Sequence, residues 1–232
     1  MAKKEINFAQ KKAKDFNILT RLYQLYALYI LFIPFFGRLF YKLKFVKNKK
    51  LEKKLYIFAS NHISYADVFL VNAVISRNLA YMAKVELFKR NNWGQKWIAR
   101  NVSRLGAFAV NREKVALSTI KTVKEVFKAN FNLCIFPQGG IRKNKTIENI
   151  NEGFIYFAKT NKIDIVPIGI CGLENYNWNV FSKKQVTVAM GSPISWELDE
   201  KEILKQWCKQ VSEMTGYENK AQLNISQETM AI

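Results

Sequence analysis

Residues 55–76 read LYIFASNHISYADVFLVNAVIS, and the way this stretch divides decides the fold. Residues 55–60 form a short apolar run, the mark of a buried strand. Residues 65–76 carry apolar side chains at helical spacing. Between them is a short loop that holds His62, the single histidine of the chain. A buried strand that passes through a loop into a helix is the opening of a βαβ unit, whose strands lie parallel.

The same alternation continues outward from this stretch. Strands are expected at 79–83, 107–110, 132–136, 164–170 and 185–190. Helices are expected at 93–105, 114–130, 152–160 and 200–216, the last stopped by Gly216. Strands alternating with helices predict an α/β domain with a mostly parallel central sheet flanked by helices. A chain of 232 residues suits one such domain, which buries roughly 70% of its unfolded surface. We divide the chain into a basic, apolar segment at 1–54, a main α/β domain at 55–217 and a polar tail at 218–232.

Composition removes several classes. With 49% hydrophobic and 14% aromatic residues the chain is not disordered. Cys134, Cys171 and Cys208 lie far apart, form no CxxC pair and are odd in number. Together with one histidine they argue against a zinc site and read as small buried hydrophobes in a reducing compartment.

The net charge is +19 and unevenly placed: residues 1–54 hold 14 Lys/Arg against 3 Asp/Glu. A basic end implies an anionic partner, nucleic acid or anionic lipid. What separates the charges decides between them. Residues 22–37, LYQLYALYILFIPFFG, are 16 positions without a charge. As a helix they would span about 24 Å, short of a hydrocarbon core of about 30 Å, and Pro34 interrupts them. Lysines flank the run on both sides, and Tyr23, Tyr26 and Tyr29 recur every three residues. The positive-inside tendency puts both flanks on the cytoplasmic side, and tyrosine favours the headgroup level. These features predict a monotopic, membrane-associating helical hairpin (residues 16–33 and 35–45) in an anionic leaflet, on the cytoplasmic face of the cell membrane. The basic residues surround a greasy core and not a stripe of base-stacking aromatics, which argues against nucleic acid. A buried core helix with a solvated lysine tail is the plainer alternative.

Ligands of an α/β sheet sit beyond the carboxyl ends of its strands, which is where His62 falls. Ser64 suits an N-cap and Asp67 the third residue of a capping pattern, which places Asp67 beside the His62 loop. A carboxylate there accepts the imidazole N–H and raises the basicity of the other ring nitrogen. This is the base and orienter of a triad without its serine, so the nucleophile would be a substrate hydroxyl. A capping aspartate and a turn histidine also exist without function, and two further segments bear on the choice. GAFAVNR (106–112) ends in Arg112 and FPQGGIR (136–142) ends in Arg142, each just past a strand, with Gly139 and Gly140 opening the second turn. Arginines and glycines at strand ends suit an oxyanion or phosphate.

The four blocks resemble the glycerolipid acyltransferase family, in particular its bacterial 1-acyl-glycerol-3-phosphate acyltransferases. That family carries H-x-x-x-x-D, G-x-x-F-x-x-R, F-P-E-G-T-R and V-P blocks in this order. Here they are His62 to Asp67, Gly106 to Arg112, Phe136 to Arg142, and Val166-Pro167. Residues 84–88, beginning at Lys84, resemble the stretch the family has after its second strand. The resemblance covers about residues 55 to 195 and implies acyl transfer to a lysophospholipid, giving phosphatidic acid. His62 would take the proton of the lipid hydroxyl and Asp67 would orient it. Arg112, Gln138, Gly139, Gly140, Arg142 and Lys84 would bind substrate. Acyl-CoA or acyl-carrier protein would be the co-substrate, with no metal or other cofactor. One block departs from the pattern: the family's glutamate is Gln138, and its arginine comes one residue late, at Arg142. The departure leaves open another lysolipid or alcohol as acceptor, or a non-catalytic lipid-binding protein of the same fold.

Overall fold

The computed structural model describes residues 13–29, 40–48, 51–88, 91–110, 117–175, 181 and 183–221. In chain order the elements are α1 (Ile18–Tyr26), β1 (Tyr41–Val46), β2 (Ile57–Ser60), α2 (Asp67–Ile75), β3 (Leu79–Lys84), α3 (Trp93–Arg104), β4 (Ala107–Val110) and α4 (Leu117–Lys128). They continue with β5 (Asn132–Ile135), β6 (Thr146–Ile147), α5 (Gly153–Asn161), β7 (Ile165–Cys171), β8 (Lys184–Met190), α6 (Glu200–Thr215) and β9 (Glu218–Asn219). The fold is α/β, with mostly parallel strands and flanking helices, as expected. Its chain forms two compact units, Met1–Ala27 with Arg77–Ile135, and Leu28–Ser76 with Phe136–Ile232.

In the first unit β5, β3 and β4 run parallel in that order, with Leu79 opposite Asn132 and Tyr81 opposite Ala107. Helix α4 turns Thr119, Thr122, Val123 and Val126 inward and Lys121, Lys124 and Lys128 outward, the amphipathic pattern its spacing predicts. Asn92 caps α3, its Oδ1 accepting the Gln95 N–H at 2.8 Å. Gly106, between α3 and β4, sits at φ +85°, and a Cβ there would lie 2.8 Å from the Leu79 carbonyl oxygen. Only glycine fits, so the first residue of the 106–112 block is there for backbone packing.

Helix α1 is inside out. It buries Thr20 and Gln24 and exposes Ile18, Leu19, Leu22 and Tyr26. The buried polar side chains are satisfied: the Gln24 Nε2 donates to the carbonyls of Leu79 at 2.7 Å and Leu105 at 2.8 Å. Those two bonds make the burial of an amide tolerable. No helix among the described residues is long and apolar enough to cross a membrane.

In the second unit the strand order is β1-β8-β7-β2. β1 and β2 run parallel to their partners and only β7 and β8 are antiparallel. β2 is buried along its whole length, which is why it reads as an uninterrupted apolar run. Helix α6 covers β7 closely: a Cβ on Gly169 would approach the Met214 Cβ to 2.6 Å. Trp207 of α6 is fully buried and its Nε1–H donates to the Ala59 carbonyl of β2 at 3.0 Å. Gly216 ends α6 in the left-handed region at φ 72°, the stop the sequence predicts.

The second arm of the expected helical hairpin is corrected here. Residues 41–46 of YKLKFV are strand β1 and not the end of a helix at 35–45. Tyr41, Leu43 and Phe45 alternate with exposed Lys42 and Lys44, the period of two that a strand requires. Residues 30–39, the middle of the hairpin, lie outside the described residues.

Candidate active site

The carboxyl end of β2 delivers the chain into a loop that is tightly pinned. Asn61, fully buried, pairs with β7 as a strand residue would. Its Nδ2 donates to the Ile170 carbonyl and its Oδ1 accepts the Ile170 N–H, both at 2.8 Å. The next residue, His62, is thereby fixed in backbone position.

Asp67 opens α2 and is wholly buried, while the His62 side chain keeps 16% exposure. A single carboxylate oxygen of Asp67 gathers three donors. Oδ2 lies 2.8 Å from His62 Nδ1 and accepts the N–H groups of Ile63 at 2.6 Å and Ser64 at 2.9 Å. An oxygen already accepting two amides has no proton to offer, so Nδ1–H is the donor and Nε2 the basic nitrogen. The other oxygen, Oδ1, is buried with no hydrogen-bond partner among the described residues. Burial pushes the Asp67 carboxyl above its usual range, and the His62 ring and the two amides pull against it. The expected capping by Ser64 holds only in part. Ser64 N–H donates to Asp67, but the Ser64 Oγ accepts from Ala66 N–H and Ala66 occupies the N-cap position.

Loop 136–142 is fastened to His62 twice. The Phe136 ring stacks on the imidazole, centroids 4.2 Å apart and planes 24° from parallel. The Arg142 N–H donates to the His62 carbonyl at 2.7 Å. Gly139 sits at φ 69° and its N–H closes a turn on the Phe136 carbonyl at 3.0 Å. Gly140 is the open position, where an added Cβ meets nothing within 4 Å. Gln138 is buried, and its Nε2 donates to the Thr146 carbonyl at 3.1 Å. A glutamate could not make that bond when ionised, so glutamine at this position is matched to its surroundings.

The structure thus brings His62, Asp67, Gln138, Gly139, Gly140 and Arg142 into one unit. Lys84 ends β3 in the other unit with an exposed side chain. Arg112 lies outside the described residues. Sequence reasoning missed Asn61 and Phe136 as parts of the site. Neither has its partner close by in sequence, since Asn61 bonds to Ile170 and Phe136 stacks on His62. Among the described residues no group of three His, Cys, Asp or Glu is placed to hold a metal.

Gly140→Ala separates a structural glycine from a substrate-facing one. With open space around it, the added methyl leaves thermal unfolding unchanged. If the loop receives a phosphate against its backbone, the same methyl raises the KM for the acceptor several-fold with a smaller change in kcat.

An acyltransferase family model matches residues 42–171. A 1-acyl-sn-glycerol-3-phosphate acyltransferase of Cocos nucifera is 28% identical over 160 residues, 67% of this chain and 51% of that protein. One of Bacillus subtilis is 28% identical over 142 residues, 60% of this chain and 66% of that protein. One of Saccharomyces cerevisiae is 27% identical over 177 residues, 73% of this chain and 57% of that protein. The chain therefore spans between half and two thirds of the length of these curated relatives. The crystal structure of the 1-acyl-sn-glycerophosphate acyltransferase of Thermotoga maritima shares the fold, with a TM-score of 0.57 at 18% identity, covering 87% of this chain and 97% of that one. A family model that spans residues 42–171, and with them the His62, Asp67 and 136–142 segments, establishes that the chain belongs to the acyltransferase family.

Proposed function

We propose that this protein transfers a fatty acyl group from acyl-CoA or acyl-carrier protein to the hydroxyl of a lysophospholipid, 1-acyl-glycerol-3-phosphate, giving phosphatidic acid. The observation that carries the reading is the bond from His62 Nδ1 to the buried Asp67 at 2.8 Å, which leaves Nε2 as the base. His62 Nε2 takes the proton of the acceptor hydroxyl as its oxygen attacks the thioester carbonyl carbon. The tetrahedral oxyanion then collapses, the C–S bond breaks, and the departing sulfur takes the proton back from Nε2. Asp67 stays ionised through the cycle and stabilises the imidazolium. Arg142, Gly139 and Gly140 would hold the acceptor's phosphate. Water of the bulk is no co-reactant, and the reaction as written calls on no metal.

Acceptor and donor partners here are lipid and carrier, and we place the protein on an anionic leaflet at the cytoplasmic face of the cell membrane. The support is helix α1, which turns Ile18, Leu19, Leu22 and Tyr26 outward and Thr20 and Gln24 inward. That arrangement is costly in water and favourable against hydrocarbon.

Thiol release from acyl-CoA or acyl-carrier protein by the purified protein tests the proposal. Lysophosphatidic acid is compared with other lysolipids and simple alcohols, in the presence of anionic lipid. Release with lysophosphatidic acid is the expected result. Release only with another acceptor would mean that loop 136–142 has been re-aimed, and no release with any pair would leave a lipid-binding protein.

A further inference from the structure

Helix α3 carries a stripe that the acyl-transfer chemistry does not use and of which, among the described residues, only Arg104 meets another helix. Trp93, Trp97, Arg100 and Arg104 follow one another at spacings of four, three and four and so share one face. All four are exposed, Trp93 to 82% and Trp97 to 60%, while Ala99 faces the core. A helix that packs one side and then turns two indoles into water is inverted in the same sense as α1. The two helices touch within their unit. The Tyr23 hydroxyl bonds to Asn101 Oδ1, and the Arg104 guanidinium carbon lies 5.8 Å from the Tyr23 ring centroid.

We propose that the Trp93/Trp97/Arg100/Arg104 face of α3 is a membrane-contact element in its own right, which seats two indoles at the headgroup level of an anionic bilayer beside α1. The inference rests on the membrane reading of α1 given above. Indole is amphipathic and prefers the headgroup region, and arginine pairs with lipid phosphate there. Lys96 adds a third positive charge, and neither α3 nor α1 contains an aspartate or glutamate. The occupant must therefore be anionic and apolar together. An acidic protein would satisfy the arginines but leave Ile18, Leu19 and Leu22 of the adjoining helix in water. An anionic bilayer satisfies both.

The test is partition of the full chain onto vesicles of phosphatidylcholine and phosphatidylglycerol in equal parts, against pure phosphatidylcholine, for the wild type, W93S/W97S and R100Q/R104Q. Each pair is expected to weaken binding to the anionic vesicles by on the order of tenfold. Since all four side chains are exposed, thermal unfolding stays at the wild-type temperature. Thiol release with a short-chain lysophosphatidate that dissolves as a monomer stays at the wild-type rate in both variants. Failure of that soluble reaction in the wild type would remove the acyl-transfer reading and leave the vesicle result to stand by itself. Vesicle binding equal to the wild type in both variants, or loss of binding to an acidic carrier protein in its place, overturns the proposal.

Discussion

His62→Ala lowers acyl transfer by roughly 10³-fold or more while the protein remains folded, because general-base removal of the hydroxyl proton contributes about 10²–10⁴ and no second histidine exists to replace it. The side chain keeps contact with solvent and its loop is held by other groups, Asn61 on β7 and the Asp67 carboxylate on two amides. Circular dichroism and thermal unfolding are therefore expected to remain close to those of the wild type. The companion variant Asp67→Asn separates orientation from charge. Its amide oxygen takes the place of Oδ2 and still accepts from His62, Ile63 and Ser64. What it loses is the negative charge that stabilises the imidazolium, so kcat falls by about 10²-fold or more with little change in KM. Thiol-release kinetics at saturating donor read both numbers. Wild-type turnover in His62→Ala would remove the general-base role altogether.

The largest expected change in stability belongs to Trp207→Ala. This indole is fully buried under β2, its ring centroid 5.7 Å from that of Phe154. Truncation removes the packing and leaves a cavity, a loss of about 3–5 kcal/mol. It also leaves the Ala59 carbonyl without the Nε1–H bond. For a protein of this size the loss corresponds to a fall in Tm of roughly 10 °C. Trp207→Phe keeps most of the volume and orphans only the carbonyl, so its effect is about 1–3 kcal/mol. Thermal unfolding of the two variants side by side apportions packing and hydrogen bond. Equal melting temperatures for both would show that the cavity is filled by rearrangement of α6. Because Ala59 lies three residues before His62, a fall in activity greater than the loss of folded protein would also mark Trp207 as a support of the site.

Strands β2, β3, β4, β5, β7 and β8 and helices α2 to α6 fall where periodicity places them, to within a few residues. Each owes its pattern to its own neighbours in sequence: a fully buried strand is a continuous apolar run, and a half-buried helix repeats every three to four residues. Strand β1 escaped because it follows the apolar run at 22–37 and reads as the end of a helix continuing it, while its partner β8 is far along the chain. Of the candidate site, His62 and Asp67 were legible because a loop residue and the first residue of the helix that follows it lie five positions apart, where spacing alone brings them near each other. Asn61 was not, since its partner Ile170 is 109 residues away.

Local pattern by itself thus determined the alternation of strands and helices, the position of the His62 loop at a strand end, and the basic, aromatic character of the amino-terminal part. Those properties depend on residues within a few positions of one another, and hydrophobic periodicity reports them. Only tertiary structure decided which face of α1 is turned outward, since burying Gln24 depends on the carbonyls of Leu79 and Leu105 arriving beside it. It likewise decided that Phe136 stacks on His62 and that the Arg142 amide holds the His62 carbonyl. Contacts between distant segments follow from how strands are ordered in a sheet, and that order is set by the summed packing of the chain, which no single stretch encodes.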